Sequence, residues 1–163
     1  ARFLSVVMGL PDQKVLLASD AGYGFVTNIT NMMTKNTKGK AMLTVPRDCE
    51  PLPPIYVNNY ETDYLAAITT EGHMLVIPVK ALPELPRGKG NKIIQIPPAR
   101  LKKREEYVKL LEIIPEGATM KIHAGKQSVR FTPGNISDFV GERGRRGKKL
   151  PRGYRKADRA EII

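Results

Sequence analysis

The sequence predicts an all-β fold of propeller type, with about three four-stranded units. Three observations predict it: a strand-turn-strand pattern occurs three times, its strands are rich in Val, Ile, Leu and Thr, and most of the thirteen prolines lie near strand ends. Proline has no N–H to give to a sheet, so it collects at strand ends and edges. Repeats of about 40 to 50 residues with four strands each are typical of propeller blades.

Each repeat opens with an apolar strand, a glycine turn and a second strand. The first strands are predicted at 14–19, 64–68 and 119–122, and the second strands at 25–27, 74–79 and 128–131. The turn glycines are Gly22, Gly72 and Gly125, which are 50 and 53 residues apart. Runs of β-branched and aliphatic residues bounded by turn residues favour strands over helices.

A loop rich in glycine and basic residues then leads into a third strand. These loops are Gly39-Lys40, Arg87–Gly90 and Gly144–Gly147, and the strands after them are predicted at 41–45, 93–96 and 157–163. Further strands are predicted at 3–8, 55–58 and 107–113, and short helices at 29–33, 98–106 and 136–139. The predicted units divide the chain roughly into 1–50, 51–100 and 101–163.

Composition excludes several classes of protein. The chain has 163 residues, of which 41% are hydrophobic, so it can bury a core and is not a disordered tail. It has no run of the roughly 20 apolar residues that a membrane-spanning helix needs. The single cysteine, Cys49, excludes an intrachain disulfide and suits a reducing cytoplasm. Because the chain begins at Ala1, directly in a strand-like stretch, we expect it to be a piece of a longer protein.

The net charge of +11 is arranged in blocks of alternating sign. Residues 35–47, 87–104 and 141–163 carry +4, +7 and +6, whereas 48–86 carry −5. Charges on a solvated helix intersperse within a turn or two, so blocks of this length need another explanation. If the repeats are equivalent blades, their basic loops lie at equivalent corners and form one positive stripe. The alternative is that these loops are merely solvated.

The density of cations near the C-terminus indicates a polyanionic partner. Residues 141–159 hold nine Lys or Arg against Glu142 and Asp158, and such self-repulsion usually has a partner to offset it. We predict contacts to double-stranded DNA from thirteen basic residues in or near the loops and turns: Lys38, Lys40, Arg87, Lys89, Lys92, Lys126, Arg143, Arg145, Arg146, Lys148, Lys149, Arg152 and Arg155.

Three segments identify a related family. Residues 16–26, 85–94 and 140–147 closely resemble the C-terminal domain of ParC, the DNA-cleaving subunit of bacterial topoisomerase IV, in the gyrase A superfamily. The resemblance implies a β-pinwheel, in which four-stranded blades exchange a strand with their neighbours and form an open arc whose basic outer edge bends duplex DNA. Members of the family carry more blades than the three repeats found here, so we expect the C-terminal portion of the pinwheel.

The resemblance also implies a larger assembly. The parent resembles an ATP-dependent type IIA topoisomerase, an isomerase in which a ParC homodimer joins the ATPase subunit ParE in an A2B2 holoenzyme. The implied role is to guide duplex DNA to the strand-passage core for decatenation, chromosome segregation and supercoil relaxation. The implied location is the bacterial cytoplasm, on the chromosome, with a peripheral place at the inner membrane for the holoenzyme.

Two alternative functions stay open. One is the DNA-wrapping C-terminal domain of gyrase A, whose Gln-Arg-Arg-Gly-Gly-Lys-Gly box is matched only loosely by residues 143–148, and this favours topoisomerase IV. The other is a propeller-like platform for acidic proteins or RNA.

No catalytic activity is predicted for this chain itself. It shows no grouping of nucleophile, base and stabiliser, and none of its six tyrosines lies in a cleavage motif. His73 and His123 lie beside turn glycines without clustered carboxylates, so no metal site is predicted. We expect no cofactor here; the ATP and Mg²⁺ of the parent enzyme belong to other domains or to ParE.

Overall fold

The computed structural model describes residues 14–28, 49–52, 55–84 and 90–163. In these residues the strands are β1 (Lys14–Ala18), β2 (Tyr23–Asn28), β3 (Ile55–Val57), β4 (Tyr64–Thr69), β5 (His73–Pro78), β6 (Asn91–Lys92), β7 (Val108–Ile114), β8 (Met120–Ala124), β9 (Gln127–Phe131), β10 (Lys148–Lys149) and β11 (Arg159–Ile162). Two short helices are α1 (Pro98–Lys102) and α2 (Pro133–Ser137), and a 3-10 turn covers Val79–Ala81.

The strands form three antiparallel sheets. Sheet 1 has the order β3-β1-β2-β6, sheet 2 has β10-β5-β4-β7, and sheet 3 has β11-β8-β9 in the described residues. Each sheet is built on one of the predicted hairpins, with turn glycines at positive φ: 91° at Gly22, 83° at Gly72 and 63° at Gly125. The all-β fold with four-stranded units is therefore confirmed.

Neighbouring sheets exchange strands. The chain completes β4 and β5 of sheet 2, returns to sheet 1 as β6, and then supplies β7 to sheet 2. It repeats this path one unit later, when β10 joins sheet 2 between β9 and β11 of sheet 3. Lys92 thus pairs with Tyr23, and Lys149 pairs with His73. This is the exchange that the pinwheel resemblance implied.

A glycine allows each exchanged strand to cross its partner. Gly147 precedes β10 with φ +78°, and a Cβ built there would lie 2.5 Å from the carbonyl oxygen of Met74. Gly90 precedes β6 with φ +84°, and its Cβ would overlap the backbone of Gly24. A left-handed backbone conformation and a close backbone approach both favour glycine, so the crossing depends on it.

The core lies in two layers on either side of sheet 2. The first packs sheet 1 against sheet 2 and includes the fully buried Leu65, Ile77 and Ile94. The second packs sheet 2 against sheet 3 around Met74 and Ile122. Side chains on both faces of β4 and β5 are buried because both faces are covered by a neighbouring sheet.

An ion pair also joins the first two sheets. The carboxylate of Asp20, in the sheet 1 turn, accepts two bonds from the guanidinium of Arg104, at 3.1 and 2.7 Å. Arg104 stacks over Tyr107 at 4.2 Å from the ring centroid, and Val108 N–H donates to the Asp20 carbonyl at 2.8 Å. The start of β7 is thereby fixed to the turn of sheet 1.

Several predicted boundaries are wrong. Residues 93–96 were predicted as a strand, but the strand is Asn91–Lys92. After it the chain leaves the ladder and buries Ile93, Ile94 and Ile96 in the first core layer, so these apolar residues mark burial and not a strand. Lys148–Lys149 form a strand within a stretch predicted to be a loop.

The helices also differ from the prediction at their ends. α1 ends at Lys102 and not at 106. α2 begins at Pro133, before the predicted 136, because Thr132 caps it by accepting a bond from Asn135 N–H at 3.3 Å. The predicted strands at 3–8 and 41–45 and the predicted helix at 29–33 lie outside the described residues. Within the described ranges, no helix has the length and apolarity to cross a membrane.

Candidate nucleic-acid interface

Two basic segments that are about fifty residues apart in the chain lie side by side. Residues 141–147 run along residues 92–95 and are tied to them by backbone bonds: Gly144 N–H donates to the Ile93 carbonyl at 2.9 Å, and Gln95 N–H to the Arg145 carbonyl at 2.8 Å. Arg143 Nη1 also donates to the Lys92 carbonyl at 3.0 Å. The fold therefore brings cations of the second and third repeats together.

The strand that follows extends this surface. Lys148 and Lys149 form β10 at the edge of sheet 2, and both side chains are exposed. Their backbones pair with Met74 and His73, which fixes their position relative to the rest of the sheet. We call Lys92, Arg143, Arg145, Lys148 and Lys149 the basic patch.

The arginines of the basic patch keep donors for a ligand. The side chain of Arg145 is 69% exposed, and its contact with Glu142 is 3.5 Å long between groups that are both in solvent. Such a surface pair contributes roughly 0 to 1 kcal/mol, so it does not compete strongly with a phosphate. Arg143 uses one donor on a carbonyl, and a guanidinium has five N–H groups.

Arg146 differs from its neighbours because it is bonded to a buried carboxylate. Its Nη1 and Nη2 donate to Oε2 and Oε1 of Glu106 at 2.9 and 2.6 Å. Glu106 is fully buried, and it also accepts a bond from Thr69 Oγ1 at 2.7 Å. Arg146 was predicted to contact DNA, and the structure gives its fork an internal partner.

Burial and the neighbouring charges shift the pKa of two groups here. Burial alone raises the pKa of Glu106, but the bonds from Arg146 and Thr69 and the charge of Arg146 hold it below its ordinary value. Burial, followed by the charge of Arg146, lowers the pKa of His73. The cluster at neutral pH is therefore one carboxylate, one guanidinium and a neutral imidazole.

The remaining described candidates lie around the hairpin turns of sheets 2 and 3. Arg155 Nε donates to the Leu150 carbonyl at 3.2 Å, and its side chain covers the turn at Gly72. Arg152 is exposed and adjoins Gly153, which lies close to Gln127. Lys126 is exposed in the neighbouring turn of sheet 3. These three cations are thus within the same two sheets, beside β10 or the turn of β8 and β9.

The other four predicted contacts, Lys38, Lys40, Arg87 and Lys89, lie outside the described residues. In the part of the chain that is described, no group of three or more His, Cys, Asp or Glu could hold a metal ion.

Sequence reasoning missed Glu106 as a structural partner of the basic loop. A signal was present, since an acidic residue recurs beside each hairpin turn. Glu50 N–H donates to Asp20 Oδ1 at 3.1 Å in sheet 1, and Gly125 N–H donates to Asp158 Oδ2 at 2.6 Å in sheet 3. Glu106 holds the corresponding place in sheet 2, where it contacts Thr69.

Comparison with known proteins agrees with this fold. The family model described as the DNA gyrase C-terminal domain, beta-propeller, matches residues 13–50 and 63–113, which is more than half of the chain. The chain belongs to this family. The gyrase C-terminal domain family therefore accounts for the repeats and for the exchanged strands.

Individual members of the gyrase C-terminal domain family are similar over nearly the whole chain. The A subunit of DNA topoisomerase 4 from Pseudomonas aeruginosa is 45% identical over 97% of the chain, and that of Escherichia coli K12 is 43% identical over 96%. The chain spans 21% of the length of each relative. The solved structure of the E. coli ParC C-terminal domain superposes with a TM-score of 0.86 at 42% identity, covering 95% of the chain and 62% of that structure.

Proposed function

We propose that the chain binds and bends duplex DNA as the C-terminal domain of a topoisomerase IV ParC subunit. The observation that carries the proposal is the side-by-side packing of residues 92–95 and 141–147, which gathers the basic patch on one surface. Lys and Arg gain affinity for DNA by neutralising phosphates and releasing condensed counterions. Binding is therefore salt-sensitive and nearly independent of sequence.

The arrangement suits a curved duplex. Bending a site of 20 to 30 base pairs costs about 1 to 6 kcal/mol, which several phosphate contacts offset together but one does not. Successive sheets place basic segments at successive exchanged strands, β6 and β10, so the contacts repeat along the arc. Glycines such as Gly144, with φ +86°, let the backbone lie close to the phosphates.

The similar subunits indicate where such binding acts. In the parent enzyme the bound duplex is guided to the strand-passage core, for decatenation and supercoil relaxation. The partners are the rest of the ParC homodimer and the ATPase subunit ParE. The setting is the chromosome in the bacterial cytoplasm. Cleavage of DNA belongs to other parts of ParC.

Reversing two charges of the basic patch tests the proposal. We expect Arg143→Glu with Arg145→Glu to weaken binding of any duplex by at least about tenfold and to reduce the log–log salt slope by about 1.8, which is about 0.9 for each lost phosphate contact. Fluorescence anisotropy with a labelled duplex of mixed sequence, repeated across a salt series, measures both.

The matched control reverses two exposed cations outside the basic patch, Lys80 and Arg130. Lys80→Glu with Arg130→Glu changes the net charge equally, so a general charge effect would weaken both variants alike. Equal losses, or an unchanged slope in the Arg143 and Arg145 variant, would exclude the basic patch from the DNA path. Stronger competition by RNA than by duplex DNA at physiological salt would support the RNA platform instead.

A further inference from the structure

The carboxylate of Glu106 touches a residue from every strand end on one side of sheet 2. Glu106 itself leads into β7, and its Oε2 lies 2.7 Å from Thr69 Oγ1 at the end of β4 and 3.6 Å from His73 Nδ1 at the start of β5. Arg146, which leads into β10, completes the set with its two bonds to Glu106. Arg100 of α1 adds a contact of 3.5 Å from Nε to Oε1.

The guanidinium that Glu106 holds also reaches the second basic segment. Arg146 Nη1 lies 3.4 Å from the Gln95 carbonyl, three residues beyond Lys92. Arg146 is flanked by Arg145 on one side and by Gly147 and β10 on the other. One fixed side chain therefore sets the position of the loop that bears Arg143 and Arg145 and of the strand that bears Lys148 and Lys149.

We infer that Glu106 is a positioning residue for DNA binding, which fixes Arg146 and through it the geometry of the basic patch. The inference rests on the proposed function. A carboxylate near a DNA-binding surface repels phosphates, and removing it raises the net charge of the chain by one. Simple electrostatics and positioning therefore predict changes of opposite sign when Glu106 is neutralised.

The experiment neutralises Glu106 in the full chain and compares it with its exposed neighbour Glu105. Glu106→Gln keeps the shape of the side chain but releases the fork of Arg146. We expect it to bind a labelled mixed-sequence duplex about tenfold more weakly, with a salt slope lower by about one phosphate contact, despite the added positive charge. Glu105→Gln, with the same change in charge, should bind equally well or slightly more tightly.

Backbone order provides a readout that charge alone does not move. Hydrogen exchange of the Lys149 and Leu150 amides in Glu106→Gln should be faster than in the parent chain, while the amides of β8 and β9 stay protected. If Glu106→Gln does not fold, Thr69→Val is used, since it removes one bond to Glu106 and alters no charge. Weaker binding with a lower slope in that variant supports the inference, and an unchanged affinity overturns it.

The outcomes separate this inference from the proposed function. Tighter binding by Glu106→Gln, equal to that of Glu105→Gln, overturns the positioning role while leaving DNA binding intact. A parent chain that does not bind duplex DNA, or binds without salt dependence, overturns the proposed function itself.

Discussion

Replacing Arg146 with alanine is expected to destabilise the fold by about 3 to 5 kcal/mol, because it leaves the fully buried carboxylate of Glu106 without its two strongest bonds. The loss is a property of the folded chain and needs no DNA. Urea unfolding at pH 7, followed by far-ultraviolet circular dichroism, measures it. Arg145→Ala, next to it and exposed, should change stability by no more than about 0.5 kcal/mol.

The pH dependence of this effect has a definite sign. The pKa of Glu106 in the folded chain lies below its ordinary value, so its contribution to stability is present above about pH 4.5 and is lost as the pH falls through the folded pKa. Without Arg146, burial raises that pKa, and protonation relieves the unpaired charge. The difference between Arg146→Ala and the parent chain should therefore shrink on acidification. A difference that grows towards low pH would contradict the pair as its source.

Gly147→Ala is expected to produce the second large loss, about 2 to 5 kcal/mol. Alanine at φ +78° is strained by about 1 to 2 kcal/mol, and its Cβ would lie 2.5 Å from the Met74 carbonyl oxygen, which is backbone and cannot rotate away. Relief requires β10 to move off β5. Urea unfolding gives the free energy, and hydrogen exchange at Lys149 shows whether the exchanged strand has separated.

Gly117 is the matched control for this substitution. It has nearly the same backbone conformation, φ +77°, but a Cβ there would have no atom within 4 Å. Gly117→Ala therefore carries the strain alone, about 1 to 2 kcal/mol. Equal losses at the two glycines would mean that the close approach of Gly147 to Met74 contributes nothing.

Much of the fold could be predicted from the sequence because the repeat multiplies weak local signals. The hairpins around Gly22, Gly72 and Gly125 are confirmed, since each combines a glycine turn with two apolar runs. The failures are at the exchanged strands. Lys148–Lys149 has no apolar pattern, because its pairing comes from a backbone edge on another repeat, and local sequence carries little of that information.

The candidate site divides in the same way. Charge blocks predicted that basic segments would meet, and the packing of 141–147 against 92–95 agrees with this for the residues described. The roles of single cations could not be predicted. Arg145 and Arg146 are adjacent in sequence, yet one is exposed and the other bonds to a buried carboxylate, and this difference arises from tertiary packing alone.

The borrowed strand β10 also affects what happens when the chain is cut. Proteolysis between β9 and β10 that removes the last residues would strip sheet 2 of its outer strand and leave β5 with unpaired N–H and C=O groups at Met74. Bare edges of this kind recruit strands from other molecules. Shortened products of this domain are therefore expected to aggregate, although two of their sheets would still contain their own hairpins.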